Sequence, residues 1–186
     1  MGTIFGKGLY TRKEITEYTT ITYLTRNEIE HLLVKFMKLA SSQIKADNQY
    51  RVPLGVLMEY PEFGANPFGD RLCKTFSSTG DGSLDFEDFL NCVSTFNFKA
   101  PMDTKIEYIF QMYDFDNDGE IGDDDIKETI RRLVGERFEY TPVEEICIAL
   151  NKQTDLDSAG GISFTEFKAA CAKNLDFQEI FKINIF

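Results

Sequence analysis

Seven carboxylates crowd into the twelve residues from Asp114 to Asp125. Asp114, Asp116, Asp118 and Asp125 stand at positions 1, 3, 5 and 12, with Gly119 at position 6 and Ile121 at position 8. Hard oxygen donors at this spacing, with a glycine where the chain must turn sharply, make the cation loop of an EF-hand. Glu120, at position 7, offers its backbone carbonyl, and Gly122, at position 9, can act only through a water molecule. Position 12 departs from the usual pattern. A glutamate there lends both oxygens to Ca²⁺, whereas Asp125 is one methylene shorter and reaches with one oxygen or draws the following helix inward. That favours a six-coordinate site, which Mg²⁺ accepts and Ca²⁺ tolerates. Without a cation the acids would repel one another strongly.

A second loop of the same design begins at Asp155, with Asp157 at position 3, Gly161 giving a carbonyl at position 7, Ser163 at 9 and Glu166 at 12. Ala159, at position 5, has no oxygen to give. The retained glutamate keeps the preference for Ca²⁺, with water at position 5 and a lower affinity. A third loop runs Ser77, Thr79, Asp81, Gly82, Ser83, Leu84, Asp85, Asp88. It has the turn glycine and the apolar anchor, but hydroxyls replace charge at positions 1 and 3, so it reads as a structural hand. Gly82, Gly119 and Gly160 recur 37 and 41 residues apart, a repeat of helix–loop–helix units. A partner for the Gly82 loop has to come from the span before Val52. That span offers only Asp47 and amides, so it reads as a collapsed hand kept for packing, with Val52 in the position-8 role.

Apolar periodicity supplies the helices that would hold these loops. Ile106, Ile109, Phe110 and Tyr113 form a stripe before the Asp114 loop, and Ile126, Ile130 and Leu133 form one after it. Ile29, Leu32, Leu33, Phe36 and Met37 mark another apolar face. Thr11 with Glu14, Thr25 with Glu28, and Thr141 with Glu144 read as capping boxes, the last with Pro142 at the first helical position. The segment from Asn97 to Asp103 breaks periodicity. The predicted fold is all-α: two EF-hand lobes of four units, the first degenerate, with an N-terminal helical extension and a C-terminal helical tail. The first lobe covers 1–97 and the second 98–186. Ile121 and Ile162 are expected to join the last two loops by a short bridge.

Composition narrows the function. A net charge of −11 and a pI near 4.6 argue against a nucleic-acid partner, which would want a basic face. Seventeen phenylalanines and no tryptophan predict a ring-packed core. Cys73, Cys92, Cys147 and Cys171 form no CxxC pair, which fits free thiols in a reducing compartment rather than a disulfide framework or zinc site. No apolar run has the length of a membrane span, and no signal-peptide core is visible. The expected location is cytosolic or nuclear, or peripheral to a membrane. His31 has no nucleophile or acid constellation around it, and no enzymatic activity is expected.

Taken together, Asn66-Pro67-Phe68 with Arg71 and Phe76-Ser77, Leu84-x-Phe86-Glu-Asp-Phe89-Leu90, Tyr113-Asp-Phe-Asp116, Ile162-Ser-Phe-x-Glu166-Phe167 and the ending Asp176-Phe177-x-x-x-Phe181-Lys-Ile183 resemble the calcium- and integrin-binding family. The resemblance spans nearly the whole chain, and an aspartate closing the third loop is typical of that family. It implies a sensor-adaptor with two degenerate N-terminal hands and two functional C-terminal hands that bind Mg²⁺ or Ca²⁺. Such proteins hold an amphipathic helix from a membrane protein's cytoplasmic segment, an integrin α-subunit tail or a transmembrane-channel-like protein, in an apolar groove. Ala159 departs from the family pattern. A calcineurin-B-like regulatory subunit of a phosphatase or transporter, and a simple Ca²⁺ buffer, are the alternatives.

The last ten residues include Phe177, Ile180, Phe181, Ile183, Ile185 and Phe186, too much apolar surface to leave in water. Such a tail either packs permanently on the second lobe or occupies the target groove until a partner helix displaces it; the resemblance favours the second. Gly2 follows Met1 as N-myristoylation requires, although Gly6 stands where the motif takes Ser or Thr. An acyl chain there would place the protein peripherally at the inner face of the plasma membrane.

Overall fold

The computed structural model describes residues 10–40, 50–154 and 160–173. The segment around Asp47, the first half of the Asp155 loop, the Gly2 terminus and the tail from residue 174 lie outside the described residues. The regular elements among the described residues are helices and one two-stranded antiparallel sheet, an all-α EF-hand architecture. The chain divides between Ala100 and Pro101 into two compact units.

The first unit begins with helix α1 (Arg12–Ile21) and helix α2 (Arg26–Leu39). Both start at the expected capping boxes. Thr11 accepts from the Glu14 N–H at 3.2 Å, Thr25 accepts from the Glu28 N–H at 3.4 Å, and each glutamate accepts from its threonine's N–H in return. Ile29, Leu32, Leu33 and Phe36 of α2 are buried as the stripe predicted, and α2 packs against α1 and α6 (Phe86–Thr95). Between them run two single turns, α3 (Leu54–Leu57) and α4 (Pro61–Gly64), and helix α5 (Gly69–Phe76). Pro61 cannot continue the first turn as a helix and instead opens the second. The core is ring-rich: Phe36 lies 5.5 Å from both Phe86 and Phe89, centroid to centroid, and all three are fully buried. Val52 and Leu84 exchange backbone hydrogen bonds of 2.8 and 3.0 Å, an isolated antiparallel bridge. Val52 therefore does take the position-8 role opposite Leu84.

The second unit contains α7 (Met102–Tyr113), β1 (Glu120–Ile121), α8 (Asp123–Val134), a 3₁₀ segment (Gly135–Tyr140), α9 (Val143–Thr154), β2 (Ile162–Ser163) and α10 (Phe164–Lys173). β1 pairs with β2 so that Ile121 faces Ile162 and Glu120 faces Ser163, the bridge expected from the loop positions. Ile121 and Ile162 sit in one core cluster with Phe110, Ile126, Ile130, Val143 and Cys147.

Two local expectations are corrected. Leu133 is 62 % exposed although it continues the Ile126–Ile130 stripe; periodicity fixes the face of a helix, not how far its neighbours extend along it. Thr141 does not stand at the N-cap of α9, because the helix runs from Val143 and Ile146 N–H donates to the Pro142 carbonyl; the Thr141 hydroxyl donates to the Arg137 carbonyl at 2.9 Å. All four cysteines are free and buried. Burial pushes the Cys73 and Cys171 thiols up to about 12. Among the described residues no helix is long and apolar enough to cross a membrane.

Candidate metal centre

The Asp114 loop leaves α7 and enters α8, so its ligands are set by two helices and by the strand between them. Asn117 and Gly119, at positions 4 and 6, take φ values of +60° and +93°. These left-handed turns, tolerated by Asn and Gly, fold the loop back on itself. The result brings one oxygen from each of Asp114, Asp116 and Asp118 within 4.8 Å of the others. Backbone donors fix the three carboxylates: the Asp118 N–H meets Asp114 Oδ1 and Asp116 Oδ1, both at 3.2 Å, Gly119 N–H meets Asp114 Oδ2 at 3.0 Å, and Glu120 N–H meets Asp118 Oδ1 at 2.9 Å. Asp114 is buried, while Asp116 and Asp118 face solvent. Three convergent carboxylates with little room between them have the chemistry of a hard divalent-cation site.

Asp125 does something different. Its Oδ1 accepts from the Phe115 N–H at 2.8 Å and its Oδ2 from the Gly122 N–H at 3.0 Å. One side chain thus ties position 2 of the loop to position 9. Burial raises the Asp125 carboxyl above its ordinary range, the two backbone donors oppose that, and Asp116 and Asp114 add to it by repulsion. A cation among the three aspartates would relieve the repulsive part. The Glu120 side chain turns away to lie against Gly161: a Cβ on Gly161 would stand 2.6 Å from Glu120 Oε2. The Glu120 side chain is thereby turned toward the paired loop.

Of the Asp155 loop, Asp155, Asp157 and Ala159 lie outside the described residues. Gly160 turns with φ +100°, and Gly161 is the position against which the Glu120 side chain rests. Ser163 donates both its N–H and its hydroxyl to Glu166 Oε2, at 2.9 and 2.7 Å, so the position-12 glutamate is buried and already oriented by position 9.

Beneath the β1–β2 bridge is an apolar cavity of about 260 Å³. Tyr113, Ile121, Ile126, Leu150, Ile162 and Phe167 line it, with Thr129, Thr154, Ala170 and Cys171. Tyr113 immediately precedes the first ligand of its loop, Ile121 and Ile162 are the two loop anchors, and Ile126 and Phe167 immediately follow the two position-12 residues. Cation loops and cavity therefore share a wall.

The Ser77 loop has a contact that its own spacing does not reveal. Arg51, one residue before Val52, extends into that loop and donates to Ser78, Thr79, the Ser83 hydroxyl and carbonyl, Asp85 and Asp88, at 2.7–3.1 Å. The signal that could have found it is positional. The residue before a position-8 anchor faces position 9 of the paired loop, and here a base precedes the anchor.

Residues 103–172 match the family model for an EF-hand domain pair. Along most of its length the chain is also similar to proteins named calcium and integrin-binding family member 2. It is 31 % identical to that of Mus musculus over 95 % of this chain and 97 % of the relative. It is 32 % identical to that of Drosophila melanogaster over 95 % and 96 %, and 30 % identical to that of Homo sapiens over 95 % and 97 %.

Proposed function

This chain belongs to the calcium and integrin-binding family, and from that premise we propose that it is a Ca²⁺-binding sensor that also takes Mg²⁺ and acts as an adaptor. Asp114, Asp116, Asp118, the Glu120 carbonyl and Asp125 would hold one cation, and Asp155, Asp157, the Gly161 carbonyl, Ser163 and Glu166 a second. The acidic, divalent-neutralised second unit then receives an amphipathic helix from the cytoplasmic segment of a membrane protein. The relatives' name points to an integrin tail as the first candidate, and a transmembrane-channel-like protein is the second. Cytoplasmic placement, at the inner face of the plasma membrane if Gly2 is acylated, goes with such a partner.

The observation that carries this reading is the shared wall. Ile121 and Ile162 are at once the apolar anchors of the two cation loops and part of the lining of the 260 Å³ cavity. Any change in loop geometry on ion binding is transmitted directly to the surface of that cavity, which is what a sensor needs and a buffer does not. Three or four apolar side chains from one face of a helix are the complementary ligand. The exposed Leu133 and Ile148, on α8 and α9, add apolar surface to the same unit.

The test is anisotropy of a labelled amphipathic helical peptide with the full chain in EDTA, Mg²⁺ or Ca²⁺, alongside the half-exposed cavity variant Leu150→Asp. Binding that needs a divalent ion and weakens at least tenfold in the variant is the expected result. No binding in any of the three conditions sinks the adaptor reading and leaves a buffer.

A further inference from the structure

The Ser77 loop has the same backbone turns as the Asp114 cation loop. Gly80 and Gly82, at positions 4 and 6, take φ values of +74° and +81°, as Asn117 and Gly119 do in the Asp114 loop. Ser83 N–H donates to Asp81 Oδ1 at 2.9 Å, matching the Glu120-to-Asp118 bond, and Ser78 N–H donates to Asp88 Oδ1 at 3.2 Å, matching the Phe115-to-Asp125 bond. Apart from Ser78 at position 2, the groups that Arg51 touches are then ligand positions of the loop. Its Nη2 reaches Thr79 Oγ1 (position 3) at 3.0 Å, the Ser83 carbonyl (position 7) at 2.7 Å and Asp88 Oδ2 (position 12) at 2.8 Å. Its Nη1 reaches Asp85 Oδ2 (position 9) at 2.8 Å.

We propose that this loop is a cation site whose resident cation is the Arg51 guanidinium, which holds the first unit's hand pair in its loaded conformation and keeps divalent ions out. The planar fork suits several oxygens at once. At positions 1 and 3 the loop has the hydroxyls of Ser77 and Thr79 where the Asp114 loop has the carboxylates of Asp114 and Asp116. Those hydroxyls do what carboxylates cannot. Thr79 Oγ1 accepts from Arg51 and donates to Asp81 Oδ1 at 2.7 Å, and Ser77 Oγ donates to the Ser83 carbonyl at 2.7 Å. The Val52–Leu84 bridge delivers the fork: Val52 is in the core, and its neighbour Arg51, on the opposite face of the extended chain, lies across from Asp85. By the same register Glu120 lies across from Ser163 in the second unit. An acid occupies the equivalent place there, so that pair takes its cation from solution.

The experiment counts ions on the full-length chain by equilibrium dialysis with Tb³⁺, which has the oxygen preference of Ca²⁺. Arg51→Gln should bind one more ion per chain than the parent, and Arg51→Gln with Asp88→Asn should lose it again. An unchanged count in folded Arg51→Gln overturns the proposal. Should the variant not fold, side-chain NMR of the unmodified protein decides. Resolved, slowly exchanging Arg51 guanidinium protons in EDTA, unmoved by added Mg²⁺ or Ca²⁺, are expected. An averaged, solvent-like signal in EDTA, or a signal displaced by either ion, overturns it.

Discussion

Position 12 separates the two loops of the second unit. Asp125 has both oxygens engaged by backbone N–H groups, at 2.8 and 3.0 Å, and so acts first as a clasp across the loop. Glu166 is one methylene longer and is held through one oxygen by Ser163. Replacing Asp125 with Glu should therefore extend a bidentate ligand to the ion. Calorimetry on Asp125→Glu is expected to show Ca²⁺ affinity at the Asp114 loop rising about tenfold, the equivalent of about 1.4 kcal/mol, with Mg²⁺ affinity nearly unchanged. Equal gains for both ions would contradict the reach argument. Asp114→Ala removes a buried ligand that also receives the Gly119 N–H. It should abolish binding at that loop and lower the thermal midpoint of the second unit in Mg²⁺, because ion binding is coupled to folding there. The convergence of Asp114, Asp116 and Asp118 was legible in the sequence because it is local, twelve residues with fixed spacing. Arg51 was not, because its contacts span 27 to 37 residues and depend on a register that only the paired loops define.

Among the elements, what was local was again readable. The Thr11 and Thr25 caps stand as expected, since a capping box needs only four consecutive residues. Removing the Thr25 hydroxyl should cost about 1 kcal/mol, read as a fall in the urea midpoint with an unchanged slope; Thr141→Ala should cost less, because its hydroxyl bonds Arg137 and no helix N–H. The Ile121–Ile162 bridge was legible from the loop positions, because an EF-hand has one place for its apolar anchor and two loops have one way to pair there. The exposure of Leu133 was not, because it depends on where the neighbouring helices stop. The bridge residue and its neighbour divide two jobs: Val52 pairs with Leu84, and the adjacent Arg51 places its guanidinium in the Ser77 loop.

For the molecule as a whole, the two units answer differently to the same solution. One carries a guanidinium in a cation loop, and the other gathers carboxylates that need an ion to neutralise them. A chelator should therefore act on one unit alone. The tail beyond residue 173 carries six large apolar side chains in its last ten residues; if it occupies the target groove, removing Leu175 to Phe186 should tighten helical-peptide binding several-fold. Unchanged affinity with a melted second unit would make the tail a permanent part of the core instead. The most direct test of the account is amide hydrogen exchange along the full chain in EDTA, Mg²⁺ and Ca²⁺, each with and without an amphipathic helical peptide. The account predicts that EDTA lowers protection across 102–173 while 77–96 keeps it, and that the peptide protects the segments around Tyr113, Ile121, Leu150 and Phe167 only when a divalent ion is present. Peptide protection that is equal in EDTA, or absent from those segments in every condition, would contradict it.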